Sequence, residues 1–297
     1  MDSKLKGYFF VSLCGALSGF IIFGGQIFSN LGLSLFEISI VPYAFTILWV
    51  LPFVLKKGFA FPKQGRLLLL FYGIIAALTV LTQFGGVVFG ASVAVVVLLL
   101  YSQPLWTTLI SKFFLKEKVS IYQWIACFLV LAGVFLLVNP ANLFTSSSWL
   151  GVLSALTAGI FLSLWVVVGR QVSKTGLPPT TIFLFEEILS VIICLVAYPI
   201  ILFFTSSPEV VSLSLVHPLN VWLLLVGFSL FITTASHLSY LFGSKFISAT
   251  NSGILMLLEP VVGVLLAIVF LSQPLSIPII FGGVMILLGN ILVITKG

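Results

Sequence analysis

Apolar residues in this chain come in long, nearly unbroken runs separated by short polar connections. Ten such runs lie at about 7–28, 36–55, 67–89, 92–112, 121–138, 150–169, 179–204, 220–242, 248–271 and 276–295. Each is close to the ~20 residues an α-helix needs to cross the hydrocarbon core of a bilayer. Together they take up most of the 297 residues, so no connection is long enough for a separate soluble domain. The pattern predicts an all-α polytopic membrane protein with ten transmembrane helices.

Charge supports the span count. The chain is 61% hydrophobic and 7% charged, whereas a soluble domain carries about a quarter charged residues. Threading ten spans back and forth places all 13 Lys and Arg on one side. They are Lys4 and Lys6, Lys56, Lys57, Lys63 and Arg66, Lys112, Lys116 and Lys118, Arg170 and Lys174, Lys245, and Lys296. The opposite loops hold only Glu209, a helix-edge Glu37, and His217, which is expected to be solvated. The positive-inside rule makes the basic side cytoplasmic, so both termini are expected there, in a plasma or inner cell membrane. The net charge of +6 is then a topology signal and implies no nucleic-acid partner. Lys4 and Lys6 are not read as part of a signal peptide, because the first span has an internal counterpart at 150–169.

That counterpart belongs to a repeat. Gly7, Gly15, Gly25 and Gly32-Leu33 match Gly151, Gly159, Gly169 and Gly176-Leu177, each 144 positions on. Pro104 and Gly133 match Pro260 and Gly289, 156 positions on. Gln103-Pro104 in the run from Ser92 to Leu115 thus stands where Glu259-Pro260 stands in the run from Ser248 to Leu271. The chain divides into a first unit at 1–140 and a second at 150–297, with five spans each. Five is odd, so the second unit enters the membrane inverted. The charges agree: Lys116-Glu117-Lys118 corresponds to Ser272-Gln273-Pro274, and Arg170 and Lys174 correspond to Gln26 and Asn30. Inverted repeats are a common frame for alternating-access transporters, with the site near the midplane.

The residues from Pro104 to Gly133, beginning PLWTTLISKFFLKEKVS, and the LLEPVVGVLLAIVFL run from Leu257 to Leu271 carry a family resemblance. The chain resembles the drug/metabolite transporter superfamily, specifically its EamA-type ten-helix members. The resemblance covers essentially the whole chain. It implies that spans one to four and six to nine surround a cavity, while the fifth and tenth sit at the edge and pack closely through Gly133, Gly282-Gly283 and Gly289. Two positions depart from the family pattern. The glutamate after the fourth helix is present as Glu117, but its second-unit counterpart is Gln273. An arginine that many relatives carry in the second span is replaced by the stretch Ile40-Val41-Pro42-Tyr43, which weighs against an anionic substrate.

Ionisable residues inside a membrane are costly and mark substrate or proton paths by default. Glu186, Glu187 and Glu259 are such residues. Glu187 shares a stripe with Phe183, Ser190 and Cys194, with Glu186 beside it; His237 shares one with Thr233 and Tyr240, and Gln83 with Thr79. Ser252, seven residues before Glu259, lies on the same helical face, with Asn251 close to it. Tyr43, Tyr101 and Trp165 supply aromatic faces. Each has a structural alternative: Glu259 can bond a backbone donor freed by the Pro260 kink, and His237 and the aromatics can simply pack. Cys14, Cys127 and Cys194 read as small buried hydrophobes. The two histidines lack metal-motif spacing, and no metal or other cofactor is expected.

With three potential anions and no Lys or Arg in that interior, the expected function is secondary active transport of a small polar metabolite by alternating access. The solute is expected to be cationic or zwitterionic, an amino acid or amine, held by carboxylates and aromatic faces. Burial disfavours an ionised carboxyl, so proton coupling through the same groups is an open companion to direct binding. A lipid-headgroup flippase on the same fold is the alternative, and an intramembrane enzyme using Glu186 or Glu187 with His237 is a more distant one. The chain is not expected to be an enzyme, since it shows no nucleophile or metal motif. One chain holds both halves of a pathway, so a functional monomer in the lipid bilayer is expected, with a dimer left open.

Overall fold

The computed structural model describes residues 2–56, 65–138, 148–272 and 275–297, with the side chain of Ala94 left aside. Lys57, Lys63, Gln273 and Pro274 fall outside the described residues. The regular elements of the described residues are all helices. The first unit contains α1 (Ser3–Asn30), α2 (Leu35–Lys56), α3 (Arg66–Val88), α4 (Val93–Leu100), α5 (Gln103–Phe113) and α6 (Ile121–Leu137). The second contains α7 (Trp149–Ser173), α8 (Pro179–Phe204), the short α9 (Pro208–Val211), α10 (Leu219–Phe228), α11 (Thr234–Gly243), α12 (Ala249–Leu255), α13 (Leu258–Leu271) and α14 (Ile277–Lys296). A π-turn at Ser229–Thr233 joins α10 to α11.

Among the described residues, 9 helical segments are long and apolar enough to cross a membrane. The helix at the expected fifth span, α6, has 17 residues, so it is about 25 Å long. Many large apolar side chains stay at the surface, including Phe53, Val196, Phe203, Val269 and Phe281. A water-soluble chain rarely leaves so extensive an apolar surface; lipid contact accounts for it.

Two of the spans are broken, at equivalent places. α4 stops at Leu100 and α5 resumes at Gln103; α12 stops at Leu255 and α13 resumes at Leu258. A proline at the start of the second piece, second residue of α5 and third of α13, stands at each break. Pro104 and Pro260 have no N–H to give, and their rings crowd the carbonyl four residues back. The backbone copies the repeat elsewhere too. Gly32 and Gly176 both have left-handed φ, +86° and +82°, and Lys116 and Ser272 both have φ of +54°. Ser92 caps α4 by accepting from Val95 N, and Ser248 caps α12 by accepting from Asn251 N.

Helix packing follows the same exchange. α7 packs on α3, α4 and α5 of the first unit, and α1 packs on α11, α12 and α13 of the second. Glycine is required where each first helix meets the other unit's break. A Cβ on Gly15 would lie 2.8 Å from the Leu255 carbonyl oxygen, and one on Gly159 would collide with that of Leu99. α6 and α14 pair at the periphery as expected, with Gly133 against the Gly282 carbonyl and Gly289 against that of Ala126. Gly283 has open space around its Cα and is no part of that close approach.

The connections at each end are tied together. At the basic end, Lys4 Nζ donates to the Gly297 carbonyl at 2.8 Å. Arg170 Nη1 meets Glu117 Oε1 at 2.9 Å, and Arg170 Nε donates to the Ile247 carbonyl at 2.5 Å. Just beyond α7, Lys174 has its ammonium pKa held below the usual range, first by burial and then by the charge of Arg170. At the opposite end, Glu37 is 1% exposed. Its carboxylate accepts from Ser34 N at 2.9 Å, Ser214 N at 3.0 Å and Leu215 N at 3.3 Å, and lies 3.2 Å from His217 Nε2. His217 is therefore not solvated: a buried carboxylate otherwise short of charge partners draws the imidazole inward.

Candidate functional site

Two groups of intramembrane polar residues emerge, and they are separate. The first lies between α8 and α11. Glu186 and Glu187 are 1% and 2% exposed, on the face of α8 that also buries Phe183, Ser190 and Cys194. His237 Nδ1 lies 2.9 Å from Glu187 Oε1. Trp165 Nε1 donates to Glu186 Oε1 at 2.6 Å. The second oxygens of both glutamates make no hydrogen bond within 3.5 Å among the described residues, though the Tyr72 side chain interacts with the Glu186 carboxylate. No Lys or Arg pairs with either glutamate there.

Rings enclose this group. Tyr43 stacks on the His237 imidazole with centroids 5.9 Å apart and planes 13° apart. Phe183 meets the imidazole edge-on at 5.3 Å, and Trp165 lies 5.7 Å from it. Tyr240 packs on Trp165 at 4.5 Å, and its hydroxyl donates to the Val166 carbonyl. Tyr72 adds a further ring 5.8 Å from Trp165. The π-turn ends at Thr233, one turn before His237. Such turns widen a helix by one residue and recur at functional sites.

The second group sits at the two helix breaks. Glu259, Tyr101, Gln103, Leu162, Val166, Met256 and Leu257 line a narrow cleft between α5, α7 and α13. The Tyr101 side chain interacts with the Glu259 carboxylate. Gln103 Nε2 donates to Thr107 Oγ1 at 2.5 Å, and Thr107 Oγ1 donates to Ser163 Oγ at 3.1 Å. Glu259 is only partly buried. Val166 links the groups, lining this cleft while its carbonyl anchors Tyr240 beside the first.

Three expected residues belong to neither group. Gln83 is exposed: its stripe is buried at Thr79 but leaves the packed face of α3 a turn later. Asn251 is 2% exposed and serves the basic end, accepting from Gln123 Nε2 at 2.5 Å and donating to Tyr8 Oη at 3.0 Å. Ser252 donates to its own helix at the Ser248 carbonyl, at 3.1 Å. The expected shared face of Ser252 and Glu259 fails because the helix breaks between them, at Met256 and Leu257. Tyr72 was missed by the sequence reading; its only sequence signal is a lone polar aromatic among the leucines and alanines of α3.

The sequence spacing contains no metal motif, yet the fold brings together ligand atoms of Glu186, Glu187 and His237, all within 4.8 Å of one another. The repeat makes the asymmetry of the site visible. Positions 186, 187 and 165 correspond, 144 residues back, to Pro42, Tyr43 and Ile21. Those three residues line an apolar pocket with Gly25, Phe28, Ile38, Phe228 and Thr233. One half of the pseudo-symmetric interior is acidic and the other is not.

The all-helical fold, with 9 segments among the described residues long and apolar enough to cross a membrane and two helices broken, is that of a polytopic membrane protein. The sequence matches the EamA-like transporter family over residues 5–139 and again over 149–295, and the chain belongs to that family. It is 23% identical to an uncharacterized transporter of Clostridium kluyveri, over 97% of this chain and 92% of that one. It is 26% identical to the uncharacterized transporter YyaM of Bacillus subtilis, over 63% of this chain and 59% of the relative. Solute carrier family 35 member G1 of Mus musculus is 26% identical over 52% of this chain and 48% of its own. A solved crystal structure superposes with a TM-score of 0.74 at 19% identity, covering 95% of this chain and 97% of that one, which shows the fold.

Proposed function

We propose that this transporter moves a small cationic or zwitterionic metabolite, an amino acid or amine, past the buried polar cluster between α8 and α11, here called the chamber. The observation that carries the reading is the pair Glu186–Glu187. Two adjacent carboxylates sit almost fully buried with one imidazole and several rings around them, and no Lys or Arg among the described residues pairs with them. Burying a charge is unfavourable unless something neutralises it. A solute ammonium supplies that charge, and the faces of Tyr43 and Trp165 attract cations.

Alternating access would come from two inverted five-helix units rocking about their shared interface. The exchanged packing of α1 and α7 and the matched breaks support this reading. So do the matched φ values at Lys116 and Ser272. Half-helix ends at a break are a recurrent way to build midplane sites, which gives the Glu259 cleft a place on the same path. The Glu187–His237 pair suits a proton that leaves when the solute binds. The basic end is cytoplasmic in this reading, the membrane is the cell membrane, and one chain suffices.

The test is thermal stabilisation of the detergent-purified protein by amino acids, quaternary amines, polyamines, sugars and organic anions, followed by uptake of the hits into proteoliposomes. A ligand at 100 times its Kd adds about 2.7 kcal/mol, enough to read in a melt. Stabilisation by amines or amino acids, lost in Glu187→Gln, supports the proposal. Stabilisation by organic anions alone overturns it.

A further inference from the structure

We propose that Glu186, Glu187 and His237 form a binding site for a divalent first-row transition-metal cation. The inference rests on reading the chamber as a cation site and assigns it a second, inorganic occupant. Three observations carry it. The three side chains come from two helices and converge with one ligand atom each inside a 4.8 Å circle. The second oxygens of both glutamates are buried without a hydrogen bond within 3.5 Å, although the Tyr72 side chain interacts with Glu186, so Glu187 Oε2 is the freer of the two. Thr233 Oγ1, one turn before His237 and lining the pocket beside Tyr43, is likewise buried and unpartnered.

Charge and donor type narrow the ligand. Two carboxylates and a neutral imidazole sum to −2, which one divalent cation cancels. A monovalent ion leaves one negative charge buried. A mixed oxygen and imidazole set favours Zn²⁺, Mn²⁺ and their neighbours, whereas Mg²⁺ and Ca²⁺ prefer oxygen alone. A tetrahedral ion with bonds of about 2.0–2.2 Å holds its ligand atoms about 3.3 Å apart. The His237–Glu187 pair, at 2.9 Å, is already near that separation, and the ligand atom of Glu186 lies within 4.8 Å of both. Three protein ligands leave a position open for water or solute. Trp165 would limit the site, because its bond to Glu186 Oε1 competes with the metal for that carboxylate.

The experiment is titration of the full-length protein in detergent with ZnCl₂, MnCl₂ and MgCl₂, read by calorimetry and, for Mn²⁺, by electron paramagnetic resonance. Wild type is compared with Glu187→Gln, His237→Gln and His217→Gln. One Zn²⁺ or Mn²⁺ per chain is expected, with Mg²⁺ weaker. Removing either ligand should weaken binding at least about tenfold, the scale that even a lost ligand-orienting contact reaches. His217→Gln should leave binding unchanged. If Glu187→Gln does not fold, His237→Gln decides by itself, since it keeps the size of the side chain and removes the imidazole. Absence of binding, or binding that survives loss of Glu187 and His237, overturns the site. Amine uptake without metal binding sinks the metal site and leaves the proposed function standing. Metal binding without any amine or amino-acid response does the reverse, and competition between the two supports both.

Discussion

Trp165 Nε1 donates to Glu186 Oε1 at 2.6 Å, and this bond gives two adjacent glutamates different roles. Glu186 is held by an indole from α7, while Glu187 faces the imidazole of His237. An indole N–H is a donor only, so the bond favours an acceptor oxygen on Glu186 and fixes which way that carboxylate points. Glu187 is the more available of the two.

The two glutamates should therefore separate in uptake assays. Glu187→Gln is expected to lower uptake at least about tenfold, corresponding to roughly 1.4 kcal/mol or more of lost solute interaction. Trp165→Phe keeps most of the ring packing and frees Glu186, and should change apparent affinity more than maximal rate. Equal effects of Glu187→Gln and Gln83→Ala would contradict the placement of the chamber.

Asn251 should behave as a structural residue. Asn251→Ala leaves Gln123 Nε2 only its longer bond to Ser248 Oγ, at 3.4 Å, and removes the donor to Tyr8 Oη. A loss of about 1–3 kcal/mol follows from leaving buried partners unpaired. The measurement is a paired one, a lowered melting temperature with the apparent affinity for solute unchanged. A shifted affinity at intact stability would return Asn251 to the site.

Glu37 holds the connection after α8 against the start of α2. Glu37→Ala leaves the Ser214 and Leu215 amides and the His217 ring without their shared acceptor. Losing hydrogen bonds to a charged group costs about 1.5–3 kcal/mol each in favourable cases. Limited proteolysis is expected to cut the 205–218 connection faster in the variant. His217→Phe, which removes one partner of several, should give a smaller change.

The glycines at the breaks offer a comparison within one protein. Gly15→Ala and Gly159→Ala each press a Cβ onto a carbonyl oxygen of the opposite unit, and overpacking of this kind costs about 1–3 kcal/mol. Gly283→Ala, with open space around it, should be neutral or slightly stabilising, because alanine favours helix by up to about 1 kcal/mol over glycine. Melting temperatures that rank Gly283→Ala below the other two would refute the packing account of the breaks.

Much of the architecture is local and was legible as such. Run length predicts spans, because a helix in lipid must satisfy its own backbone and need only be long and apolar. Pro104 and Pro260 mark the two helix breaks, but Pro42 and Pro52 in α2 and Pro199 in α8 lie inside unbroken helices, so a proline alone does not fix where a span breaks. The repeat is visible in glycine spacing because close helix approach tolerates no side chain.

The partners of each polar residue were not legible, because they come from elements remote in sequence. Glu187 and His237 are fifty positions apart and meet only when α8 packs against α11. Helical periodicity assigned Asn251 and Ser252 to a face shared with Glu259, but the break turns that face away. Thr79 and Gln83 share a stripe, and only the path of α3 across its neighbours buries one and exposes the other. The sequence by itself determined which segments are long and apolar enough to span and which of them carry charge, because those depend on each segment's own composition. The tertiary structure alone decided which charges meet, because burial and pairing are properties of the space between helices.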